Sequence, residues 1–204
     1  MRSLLLFCAL LWFSAAVGGV FYLMRYESTA AVEASYPAVY PAESGIRRDP
    51  EYPTLIFFAH PKCPCTRASL RELSRLITNV NGELRVFVVF TKPEDEDEAW
   101  TQTDLRANAE AIPNVQVLID KGEHEARIFN ARTSGLVLLY DRQGNLRFDG
   151  GITASRGHEG DNAGSNAVFE IVTQENDKNV KTPVFGCPLH NKDCPGESMQ
   201  YAQQ

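Results

Sequence analysis

The chain opens on an unbroken apolar stretch. After Arg2, no residue in 3–24 carries a charge, and Arg25 closes the run. About 20 such residues are what a helix needs to cross a bilayer. Further on, short apolar runs alternate with amphipathic ones. Residues 54–59 (TLIFFA) and 84–90 (LRVFVVF) are continuous apolar runs of strand length, as expected of strands buried on both sides. Between them Leu70, Leu73, Leu76, Ile77 and Val80 recur at helical spacing with Arg71, Glu72 and Arg75 opposite, and Asn81-Gly82 marks the stop. The pattern then predicts a helix over 98–112 ending before Pro113, a strand over 115–119 and a short helix over 123–129. Strands over 136–140 and 145–148 flank the turn Asp141-Arg142-Gln143-Gly144, and a last helix covers 165–174. This β-α-β-α-β-α-β-β-α order describes an α/β fold, a mixed sheet with helices on both faces.

The elements divide the 204 residues into three parts: a helix over 1–25, an extended linker over 26–52, and one folded domain over 53–204. The linker holds Tyr36-Pro37 and Tyr40-Pro41 among Ala and Ser, a composition that extends the chain and reads as a tether lifting the domain off the membrane. Small residues at Ser14-Ala15-Ala16 offer a signal-peptide cleavage site, but the chain stays apolar through 17–23, which favours an uncleaved anchor. Net charge is −6 without a Lys/Arg-rich block, so nucleic acid is not the expected partner. The acidic run over 94–98 reads as a solvated loop or helix start. Four of the five cysteines lie beyond the apolar helix, an even set that suits an oxidising compartment. The expected setting is a single-pass protein of the inner membrane whose domain faces the periplasm.

Two cysteines follow the first predicted strand as His60-Pro61-Lys62-Cys63-Pro64-Cys65. A cysteine at a helix N-terminus has its thiolate favoured by unpaired N–H groups and the helix dipole, and Lys62, His60 and Arg67 are close in sequence. Cys63 is therefore the expected attacking thiol and Cys65 the resolving one. Glycines surround Arg156 and His158 in the loop over 150–164, where either side chain is a candidate to tune or protonate the leaving thiol. The tail carries Cys187 and Cys194. Three readings stay open for them: a structural Cys187–Cys194 disulfide, a relay in which Cys187 exchanges with the Cys63/Cys65 pair, and a copper or zinc site formed by Cys63, Cys65, Cys187 and His190.

A strand followed by a cysteine turn and a helix resembles the thioredoxin superfamily, with Cys-x-Cys in place of Cys-x-x-Cys. Counted from Ala59, Cys65 matches the family's second, buried cysteine, and Lys62 stands where the first would be. Residues 60–69, Gly150-Gly151-Ile152-Thr153 with 155–162, and Phe185-Gly186-Cys187-Pro188-Leu189 are similar to RedB-type membrane-anchored thioredoxin-like proteins. The resemblance implies a thioredoxin-like mixed sheet and a redox role without a cofactor. It places Thr133-Ser134-Gly135 beside the cysteines, with Ser134 or Gly135 where the family usually has a cis-proline. The expected activity is thiol–disulfide exchange with protein thiols and disulfides, with respiratory or cytochrome assembly proteins as partners. A Cys-x-Cys disulfide closes a tight ring, so an isomerase-like or oxidising poise is expected. A copper metallochaperone, a thiol peroxidase and a binding domain with structural cysteines are the alternatives.

Overall fold

The computed structural model describes residues 2–80, 82–174 and 178–190. Asn81 of the expected helix stop and Cys194 of the expected tail disulfide lie outside them. The apolar start is a helix, α1 (Arg2–Glu27), and its stretch Ser3–Glu27 is long and apolar enough to cross a membrane. A six-stranded mixed sheet follows. Its strands are β1 (Thr54–Ala59), β2 (Arg85–Lys92), β3 (Val115–Lys121), β4 (Leu136–Tyr140), β5 (Leu146–Gly150) and β6 (Val180–Lys181), in the order β3-β2-β1-β4-β5-β6. β1, β2 and β3 run parallel, β4 is antiparallel to both β1 and β5, and β6 is parallel to β5.

The apolar runs alternate between two cores. Leu55, Phe57, Val86, Val88, Val137 and Leu139 face α2 (Thr66–Asn79), α3 (Asp104–Glu110) and α5 (Ala163–Gln174). Ile56, Phe58, Phe87, Val89, Leu136, Leu138 and Tyr140 face the other way, toward α4 (His124–Ile128). Burial on both faces is why these strands read as unbroken apolar runs rather than alternating ones.

Three expectations need correction. The helix expected over 98–112 is two pieces, a 3-10 turn (Glu98–Thr101) and α3. Each has its own cap: Asp97 accepts the N–H of Ala99 at 2.9 Å, and Thr103 accepts that of Arg106 at 3.4 Å. Two side chains that compete for backbone N–H groups so close together restart the helix instead of continuing it.

The expected free tether is extended but packed. Tyr40 sets its ring edge-on against Phe129 and Tyr140, at 5.5 and 5.0 Å between centroids, and Ile46 is buried in the same core. Backbone groups fasten the segment: Leu146 N–H donates to Ala38 O at 2.9 Å, and Gly45 N–H to the Glu125 carboxylate at 2.8 Å. Its aromatic side chains supply the apolar area that the composition of Pro, Ala and Ser concealed.

The pattern also gave no sign of β6. Two residues show no period; they pair with Phe148 and Asp149, and the chain just beyond them passes close over Gly150 and Gly151. A Cβ at Gly150 would lie 2.2 Å from Thr182 Oγ1, and one at Gly151 would lie 2.7 Å from Pro183 O.

Candidate active site

Cys63 and Cys65 lie in the turn between β1 and α2, as expected. A helical turn closes it: Thr66 N–H donates to Cys63 O at 3.1 Å, and Cys65 is the N-cap residue of α2. Their burial is the reverse of the expectation. Cys63 is fully buried, whereas Cys65 is only partly so. Part of what packs on Cys63 is the tail. Cys187 packs on Cys63 beside Cys65, and its N–H donates to Cys63 Sγ at 3.4 Å. Cys63, Cys65 and Cys187 are all thiols.

The tail is held like an added strand. Ser134 N–H donates to Cys187 O and Leu189 N–H to Arg132 O, both at 2.8 Å, around an antiparallel bridge between Thr133 and Pro188. Gly186 makes the approach possible, since a Cβ there would lie 1.8 Å from Ser134 O. On the other side Ala31 N–H donates to Val184 O at 2.8 Å, so the segment leaving α1 helps hold the tail.

Ser134 joins the parts. Its hydroxyl accepts the N–H of His60 at 2.9 Å and lies 2.8 Å from Thr66 Oγ1, linking the end of β1, the start of α2 and the start of β4. Gly135, with φ of +91°, turns the chain into β4 and donates its N–H to Phe58 O. The place beside the cysteines that the resemblance assigned to residues 133–135 is thus occupied by a hydroxyl and a left-handed glycine.

The cations named from sequence distribute differently than expected. Lys62 Nζ stands 4.0 Å over the Trp100 ring. Arg67 is paired with Asp104 on the surface. His60 is buried, and its Nδ1 accepts the N–H of Lys62 at 3.1 Å, which leaves the ring proton on Nε2. In the loop over 150–164, Arg156 reaches the cysteines, while His158 is exposed and its N–H donates to Ser155 O. Arg156 Nη1 donates to Gly186 O at 2.9 Å, its N–H donates to Glu27 O, and its guanidinium lies 5.1 Å from the Tyr26 ring.

The Cys65 thiol is pushed far above its ordinary value. The foremost cause is its hydrogen bond to Cys63, followed by burial and by the nearby Cys63 and Cys187 sulfurs; Arg156 acts in the opposite direction. Cys65 therefore keeps its proton.

His190 does not join the cysteines. Its Nδ1 is 2.7 Å from Glu123 Oε2 and its Nε2 is 3.1 Å from Ala131 O, on the α4 side. Among the described residues, no group of three or more His, Cys, Asp and Glu side chains stands at metal-holding spacing. Thr66, Trp100 and Gly186 went unread as parts of the site. Gly186 had a signal, its place inside Phe185-Gly186-Cys187, whereas Trp100 sits in a polar stretch remote from the cysteines in sequence.

Beneath the start of the tail strand, the Asp149 carboxylate is buried beside Lys181, 3.7 Å away, and its Oδ1 makes no hydrogen bond. Burial, opposed by Lys181, raises its pKa above the ordinary 3.8. The folded state thus binds this proton more tightly than the unfolded chain, so Asp149 costs stability as pH rises through and above the ordinary carboxylate range. We expect Asp149→Asn to stabilise the protein at pH 7 by about 1 kcal/mol, the gain shrinking toward pH 4. Urea melts at the two pH values check this; a gain that grows on acidification would contradict it.

No protein-family model matches the chain, and no curated protein matches it. Solved structures do. An uncharacterized conserved protein from Geobacillus kaustophilus has a TM-score of 0.57 and 16% identity, the match covering 82% of this chain and 94% of its own. A hypothetical protein from Sinorhizobium meliloti 1021 has a TM-score of 0.56 and 20% identity, covering 79% and 93%. A thioredoxin-like protein solved in its oxidized form reaches 0.45 at 17% identity, covering 68% and 93%. At such identities a likeness speaks for the fold alone. The parallel β1-α2-β2 unit, the antiparallel β4–β5 hairpin and α5, with a cysteine turn entering α2, make this a thioredoxin-like fold.

Proposed function

We propose that the protein is a membrane-tethered thiol–disulfide oxidoreductase in which Cys63 exchanges with substrate disulfides and Cys65 resolves the mixed disulfide. The observation that carries the reading is the placement of Cys63 and Cys65 in the helical turn that enters α2. A sulfur there has its thiolate, the form that attacks a disulfide, favoured by the helix N-terminus. The backbone N–H of Cys187 supports the Cys63 sulfur. No cofactor is needed for such chemistry, and the partners in this reading are protein thiols and disulfides of respiratory or cytochrome assembly.

Like RedB-type proteins, the chain would be anchored by α1 in the inner membrane with its domain in the periplasm. The contacts of Arg156 with Tyr26 and Glu27, and of Ala31 with Val184, support a short tether that keeps the cysteines close to the bilayer. Substrates would then be proteins whose disulfides lie near that surface.

The test is equilibration of the detergent-solubilised full chain with glutathione buffers, followed by acid quenching, unfolding and alkylation. Cys63 should leave and re-enter the alkylatable pool reversibly as the glutathione ratio changes. A Cys63 that stays alkylatable at every ratio overturns the reading.

A further inference from the structure

Cys63 is wholly buried, and one of the side chains packed on it is a cysteine of the same chain, laid antiparallel along residues 132–134. We propose that Cys187 is a third catalytic thiol, which takes Cys63 over from Cys65 so that the settled oxidised form carries a Cys63–Cys187 disulfide. The inference rests on the oxidoreductase reading above and specifies where that oxidoreductase stores its oxidising equivalent.

The tail blocks the approach to Cys63, so a substrate disulfide reaches it only when the tail lifts from residues 132–134. Cys63 then attacks one substrate sulfur; the substrate S–S bond breaks and a mixed disulfide forms, the other substrate sulfur leaving as a thiolate. Cys65 attacks Cys63 Sγ, releasing the second substrate thiolate and forming Cys63–Cys65. The substrate is reduced by two electrons and the cysteine pair is oxidised by two.

When the tail reseats, Cys187 lies against Cys63. Its thiolate attacks Cys63 Sγ; the Cys63–Cys65 bond breaks, the Cys63–Cys187 bond forms, and Cys65 leaves as a thiolate that takes up the proton Cys187 gave up. No electrons enter or leave in this step, so it needs no further oxidant.

Two features favour the exchange. A disulfide between residues two apart must bend the turn at Pro64, whereas Cys63 and Cys187 meet from separate strands of backbone already in contact. The cover is also built to seat in one register. Gly186 against Ser134 O, Ser134 N–H on Cys187 O and Leu189 N–H on Arg132 O fix where the Cys187 sulfur stands. A purely structural tail cysteine would not need to sit on the one sulfur the chemistry uses.

The experiment oxidises the detergent-solubilised full chain, and a Cys194→Ser variant, with glutathione disulfide. Acid quenching and low-pH proteolysis then allow disulfide mapping by mass spectrometry. The expected result in both is a linked Cys63–Cys187 peptide in about tenfold excess over looped Cys63–Cys65, with Cys65 alkylatable. Cys63–Cys65 persisting with Cys187 alkylatable, or with Cys187 joined to Cys194, overturns the inference and leaves the oxidoreductase reading standing. Cys63 in no disulfide at all overturns both.

Discussion

Gly186→Ala is expected to uncover Cys63. The added Cβ would stand 1.8 Å from Ser134 O and 2.8 Å from its carbonyl carbon, and these are backbone atoms, so no side chain can swing away. Ser134 cannot yield readily, because His60 N–H and Thr66 Oγ1 both hold it. The tail is the part that moves. Overpacking of this kind costs about 2 kcal/mol, which corresponds to roughly a 30-fold rise in the population with the tail lifted.

Native-state alkylation of Cys63 should therefore quicken by about that factor. Val184 and Leu189 leave their core when the tail lifts, so a modest loss of global stability should accompany it. Alkylation of Cys63 at the wild-type rate in a folded Gly186→Ala protein would show that the tail does not gate this sulfur.

The gate marks where reading the chain alone reaches its end. The strands were legible because β1, β2 and β4 are buried on both faces, and a run such as TLIFFA has few other places to go. The cysteine turn was legible because strand, turn and helix are contiguous in sequence. The gate is not local. It pairs residues 186–189 with 132–135, far apart in sequence, through single bonds and a bridge that leave no periodic trace.

The choice between Arg156 and His158 illustrates the same boundary. Both sit in one glycine-rich loop, and composition cannot show that only the arginine turns back toward Gly186 and Cys65. Lys62 and Arg67 misled for a related reason. Charge near the cysteines in sequence says nothing of Trp100 and Asp104, the partners that direct those cations elsewhere. Tyr40 and Ile46 show how a segment rich in Pro and Ala becomes part of a core when a few large side chains find the exposed face of a sheet.

Removal of the cysteines one at a time and in pairs should separate their roles most sharply. Cys63→Ser should abolish disulfide exchange, a loss of several orders of magnitude, because an alcohol neither attacks a disulfide nor forms one at neutral pH. Cys65→Ser should behave differently from the outcome a two-cysteine mechanism predicts. With only two working cysteines, losing the resolving one traps the substrate on Cys63. Here Cys187 packs on the same sulfur, so once the substrate backbone leaves residues 132–134 the tail returns and resolves the adduct itself.

The mixed disulfide should therefore accumulate only in the double variant Cys65→Ser/Cys187→Ser, at close to one adduct per chain. A glutathione or peptide disulfide probe read by intact mass gives the count directly. If Cys65→Ser alone traps the adduct fully, Cys187 is no resolving thiol and the tail serves only as a cover. If the double variant still turns over, the resolving sulfur lies elsewhere, with Cys194 the one to mutate next.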